Sequence, residues 1–194
     1  MTVDLAPAAE TLAALVETVP ADALGGPTPN ADYSLGDLLD HIGTLAVAFA
    51  AAAAKAEGGT TPAPTGDAAH LGPDWQTRIP RDVRALAVAW EDPAAWTGMT
   101  AAGGFEMPGE IAGIVALDEI VLHGWDVASA LGRPYPADPA SLDAVLPFVT
   151  QSASEGGAGI FGPPVAVPDD APLLDRVVGL AGRDPAWSPG ASAG

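Results

Sequence analysis

A chain of 194 residues, 48% of them hydrophobic, is long enough to bury the core of one domain. Its formal net charge of −18, with Lys55 the only lysine, excludes nucleic-acid phosphate backbones as partners and disfavours anionic membrane surfaces. The lack of cysteine excludes disulfides, thiolate metal ligands and a cysteine nucleophile, so any thiol chemistry needs a thiol from outside the chain.

Helical periodicity dominates from the start. A first helix is expected from about Leu5 to Val19, with Leu5, Leu12, Leu15, Val16 and Val19 on its apolar side. The opening residues carry neither a basic region nor an apolar stretch of signal-peptide type. Pro20 to Ala31 is rich in glycine and proline and reads as a loop. Ser34, with Asp37 three residues on, is a capping-box signature that opens a second helix running to about Lys55. Its apolar run Leu45–Ala54 is far shorter than the roughly 20 residues of a membrane span. The expectation is a soluble, cytoplasmic protein. Residues 58–73 read as a mobile loop, and Arg81–Trp90 as a third helix. Glycines and prolines break residues 92–109, leaving room for a short extended stretch. A fourth helix runs from about Pro108 to Leu131, stopped by Gly132 and Pro134. A fifth covers 139–154 and a short sixth 171–181. The predicted architecture is all-α: a mostly antiparallel four-helix bundle with short extra C-terminal helices, one domain over residues 1–186 and a flexible tail at 187–194.

The fourth helix carries the most informative segment, Leu-Asp-Glu-Ile-Val-Leu-His-Gly-Trp-Asp at 117–126. Its apolar residues spread around the whole circumference, the mark of a central, buried helix. Glu119 and His123 stack one above the other at four-residue spacing, a carboxylate and an imidazole suited to a metal ion. The same pair also occurs on helices that bind nothing. Only two other histidines exist. His41 lies roughly 40° from Leu45 on the second helix, at the edge of an apolar face formed by Leu38, Ile42, Leu45 and Phe49. It is either an ordinary edge histidine or a third ligand, and His70 sits in a loop and reads as solvated. Asp118 points about 100° away from Glu119 and is a weaker candidate ligand. Asp126 is either a partner of the His123 ring or a surface charge. Two histidines and a glutamate with open positions form a catalytic-type zinc arrangement, and nickel, iron or manganese suit the same donors.

The segment 117–128 resembles the hallmark of actinobacterial metal-binding proteins related to the N-terminal domain of mycothiol-dependent maleylpyruvate isomerase, within the DinB-like (YfiT-like) group of metalloenzymes. Further similarity lies in Ser-Leu-Gly-Asp-Leu-Leu-Asp-His-Ile-Gly at 34–43, Pro-Gly-Glu-Ile-Ala-Gly at 108–113, Phe-Gly-Pro-Pro-Val at 161–165 and Ala-Pro-Leu-Leu-Asp-Arg…Gly-Arg-Asp-Pro at 171–185. The resemblance implies a DinB-like bundle with His41, Glu119 and His123 as ligands of a divalent ion, zinc first. Glutamate at 119, where other DinB-like members have histidine, points to the isomerase-like branch. The isomerase has a further C-terminal domain that helps complete its active site, whereas about 60 residues follow the fourth helix here.

Three functions follow as expectations. One is a transferase or isomerase acting on a small-molecule substrate with a low-molecular-weight thiol such as mycothiol or bacillithiol, with Arg78, Arg81 or Arg84 available to a substrate carboxylate. A second is metal-assisted hydrolysis with Asp37 or Asp126 as base. A third is a non-catalytic metal- or ligand-binding module, with a homodimer as one role.

Overall fold

The computed structural model describes residues 2–56, 65–156 and 161–190. Among them run six α-helices and one hairpin: α1 (Ala6–Glu17), α2 (Leu35–Ala53), α3 (Trp75–Ala89), β1 (Met99–Ala102), β2 (Phe105–Pro108), α4 (Gly109–Ala130), α5 (Pro139–Ser154) and α6 (Leu173–Leu180).

Local chemistry sets the helix ends. Ser34 Oγ accepts from the Asp37 amide at 3.3 Å while Asp37 Oδ2 accepts from the Ser34 amide at 2.9 Å, the reciprocal capping box predicted for α2. Asp138 caps α5 through the Ser141 amide at 2.8 Å, just ahead of Pro139. At the end of α4, Gly132 takes the left-handed conformation (φ 63°), and the amides of Gly132 and Arg133 return to Ser129 and Ala128 in a Schellman motif.

The third helix begins earlier than the sequence suggests, at Trp75 rather than Arg81. Proline at 80 looks like a boundary, yet it sits inside α3, where it removes one backbone bond. Trp75, Ile79 and Pro80 are all buried, and that apolar burial offsets the lost bond. The stretch 92–109, expected to be broken but with room for a short extended stretch, holds the antiparallel β1–β2 hairpin. Its two-residue turn is Gly103-Gly104, both with positive φ (59° and 93°), the backbone that a tight I′-type turn requires. Of the expected mobile loop 58–73, residues 58–64 lie outside the described residues, and 68–70 form a short 3-10 turn. Of the expected tail, Trp187 packs against the core, and 191–194 lie outside the described residues.

Helices α1 and α2 each pack against both α3 and α4, so the four form a bundle with α1 and α2 at opposite corners. Helix α5 lies on α4, and α6 on α5. The α2 helix is long and apolar enough to cross a membrane by length and composition, but 61% of its apolar window is buried inside the bundle. As its all-round apolar sequence implies, α4 is buried along most of its length. Its Gly124 lets Tyr135 approach so closely that a Cβ there would meet the phenol oxygen at 2.6 Å. The Trp90 and Trp96 indoles pack edge to face at 5.2 Å and donate to the carbonyls of Phe49 and Trp90.

Candidate metal centre

The α2–α4 contact brings the three predicted residues together. One ligand atom each from His41, Glu119 and His123 lies within 4.8 Å of the other two. They are the one such group of histidine and carboxylate side chains among the described residues. The rings of His41 and His123 meet edge to face at 5.0 Å. Glu119 Oε2 stands 2.9 Å from His123 Nε2, the i, i+4 contact that the spacing predicts.

Asp126 closes the other side of His123. Its Oδ2 lies 3.0 Å from Nδ1, so that nitrogen serves as a donor and Nε2 faces Glu119. Asp126 is fully buried and is therefore not a surface charge. Arg183 neutralises it, donating from Nε to Oδ1 at 3.2 Å and from Nη2 to Oδ2 at 3.0 Å. Nothing in residue spacing announces Arg183, which lies 57 residues beyond Asp126. The one sequence signal was the Gly-Arg-Asp-Pro string that carries part of the family resemblance.

The electrostatics follow from burial and these partners. Burial works against charge on His123, yet its hydrogen bonds to Asp126 and Glu119 win and push its pKa up to about 9. Burial pushes His41 down to about 4, helped by the neighbouring His123 charge. Glu119 and Asp126 are held below the usual carboxylate range, against burial, by His123 and Arg183 respectively. Asp118 is buried with Oδ1 unpartnered, and its pKa is raised well above normal by burial and by Glu119.

The cluster fits a cation. His41 Nδ1 is buried and has no hydrogen-bond partner, on a ring that stands beside a second imidazole and a carboxylate. The donors are the nitrogen and oxygen types that zinc accepts at about 2.0–2.2 Å. The site opens into a cleft of about 540 Å³. Asp32, Tyr33, Phe161 and Arg183 are among its lining residues. The Tyr33 ring lies 5.4 Å from that of His41.

Several other candidates lie elsewhere or are already engaged. Side-chain exposure of 72% leaves His70 solvated, with Asp67 at 4.0 Å. Arg78 donates to the Leu71 carbonyl, Arg81 pairs with Asp82, and Arg84 bridges Glu10 and Glu17. None of these three lines the cleft, and Arg183 is the arginine that does. Asp37 is committed to the α2 cap and to the Ala68 amide at 2.8 Å.

A family model described as the mycothiol maleylpyruvate isomerase N-terminal domain matches residues 5–128, the stretch holding all three candidate ligands. Two uncharacterized proteins from two strains of Mycobacterium tuberculosis are 33% identical to the chain over 139 residues, 68% of this chain and 68% of theirs. The crystal structure of the mycothiol-dependent maleylpyruvate isomerase superposes with a TM-score of 0.51, and that of a mutant with alanine in place of one histidine with 0.58. Each is 18% identical, covering 78% of this chain and 70% of that chain, a similarity in fold.

Proposed function

Because the chain belongs to the mycothiol maleylpyruvate isomerase N-terminal domain family, we propose that it is a metalloenzyme. In this reading His41, Glu119 and His123 hold one divalent ion, zinc first, and a low-molecular-weight thiol of the mycothiol class enters the cleft for a transfer or isomerisation reaction. The observation that carries it is the convergence of the three ligand atoms within 4.8 Å where the 540 Å³ cleft meets α2 and α4.

A bound ion of this kind supplies Lewis acidity and lowers the pKa of a thiol or water that meets it. The chain's own residues do the rest. Asp126 holds a proton on Nδ1, so that a bound ion would displace only the proton that Nε2 shares with Glu119. Tyr33 and Phe161 give the cleft aromatic walls, and the Arg183 guanidinium, paired with Asp126, lies beside them. The external thiol supplies the sulfur that a chain without cysteine lacks. A general base for hydrolysis is harder to find, since Asp37 and Asp126 are both engaged in hydrogen bonds. This favours the thiol over the hydrolytic reading.

Metal analysis of tag-free protein tests the proposal. About one equivalent of divalent metal per chain is expected, falling below about 0.2 in His123→Ala. In cobalt-substituted protein, added thiol should change the visible spectrum. Metal-free wild-type protein that takes up no zinc, or a cobalt spectrum indifferent to thiol, counts against it.

A further inference from the structure

We propose that Arg183 is a positioning residue for the centre: through Asp126 it fixes the orientation of the His123 ring, making the segment after α6 part of the site. The inference rests on the metal-binding reading for its consequence, but its geometry stands in the chain itself.

Three features carry it. First, Arg183 is aimed by backbone chemistry. Gly182 adopts φ 79°, and the amides of Gly182 and Arg183 return to the carbonyls of Gly179 and Val178, a Schellman motif that ends α6. A Cβ on Gly182 would also meet the Gly162 carbonyl oxygen at 2.7 Å. Second, the guanidinium grips both carboxylate oxygens of Asp126, and Nη1 donates to the Ala181 carbonyl at 2.9 Å. A planar fork on a carboxylate fixes orientation in a way that a point charge does not. Third, the chain of contacts is largely buried. Side-chain exposure is 12% for Arg183, 0% for Asp126 and 7% for His123, so this is not a screened surface pair. Because Asp126 Oδ2 accepts from Arg183 and His123 at once, a shift of the guanidinium moves the acceptor that orients the imidazole.

The alternative is that Arg183 only staples the C-terminal segment to α4. Two measurements separate the roles, each made on Arg183→Gln, Arg183→Lys and Asp126→Asn in the full chain. One is zinc affinity by chelator competition. The other is the proton-NMR signal of the His123 Nδ1–H in the metal-free protein, where its hydrogen bond to Asp126 slows exchange with water. Asp126→Asn is expected to weaken zinc binding by about 10- to 100-fold, Arg183→Gln to follow in the same direction, and Arg183→Lys to lie between Arg183→Gln and wild type. The ring N–H signal should broaden or vanish in Arg183→Gln and partly return in Arg183→Lys. A folded Arg183→Gln protein with a lower Tm, but an intact ring N–H signal and zinc affinity within about twofold of wild type, overturns the proposal and leaves a staple. If Arg183→Gln does not fold, Arg183→Lys carries the comparison. If wild-type protein binds no zinc, the metal-binding reading fails, and the metal-free ring N–H signal still decides the role of Arg183.

Discussion

His123 shows how one side chain is committed by its neighbours. Glu119 on Nε2 and Asp126 on Nδ1 leave it no freedom to turn, and burial of His123 and Asp126 strengthens the bond between them. The glycine after it has a packing role of its own. Tyr135 fills the space where a side chain at 124 would stand. Gly124→Ala is therefore expected to cost about 1–3 kcal/mol by overpacking. Thermal unfolding followed by circular dichroism should show a fall of several degrees, and an unchanged midpoint would show that the tyrosine moves aside freely. The Glu119–His123 pair was legible from spacing alone, because four residues is one helical turn. His41 was legible only as an edge position, since its meeting with α4 is a tertiary fact. Asp126 stood undecided between ring partner and surface charge, because its neighbour Arg183 comes from a segment that no helical periodicity links to α4.

At the scale of elements, the cap of α2 sets the start of the helix that carries His41, two turns downstream. Ser34→Ala should cost roughly 1 kcal/mol. Hydrogen bonds from Ser34 and then from the Ala68 amide hold Asp37 below its ordinary value of 3.8. A depressed carboxylate contributes stability above its unfolded pKa and loses it as pH falls through the folded one. The gap in Tm between wild type and Ser34→Ala should accordingly be larger at pH 7 than near pH 3. An equal gap at both would show that the carboxylate takes no part in the cap. Helix ends with caps were legible here, at Ser34 and Gly132, because capping is local chemistry. The start of α3 was not, because Pro80 is a local signal that the burial of Trp75 and Ile79 overrides. Of the β1–β2 hairpin, the sequence suggested only a short extended stretch within the glycine-broken residues 92–109. Its strands are four residues each, too short to print an alternating pattern.

Across the whole molecule, a DinB-like bundle of four helices holds the three candidate ligands on two of them, and the C-terminal segment forms part of the cleft wall through Arg183. A ligand that binds only the folded chain must stabilise it. Zinc at about a hundredfold above its Kd adds about 2.7 kcal/mol, which for a chain of this size is roughly 5–10 °C in Tm. The rise should be absent in His123→Ala and in His41→Ala, and an equal rise in either variant would place the ion elsewhere. The bundle itself was readable from helical periodicity, because its core positions repeat along each helix. The cleft was not, because its walls come from the 29–33 loop and from residues near 161 and 183, brought together only by packing. The most direct test of the metal centre is anomalous scattering at the zinc edge from crystals of zinc-loaded, tag-free protein. One strong peak is expected about 2.0–2.2 Å from a nitrogen of His41, a nitrogen of His123 and a carboxylate oxygen of Glu119, with an open position toward the cleft. A peak bound elsewhere, or none at these three residues with zinc present, would contradict it.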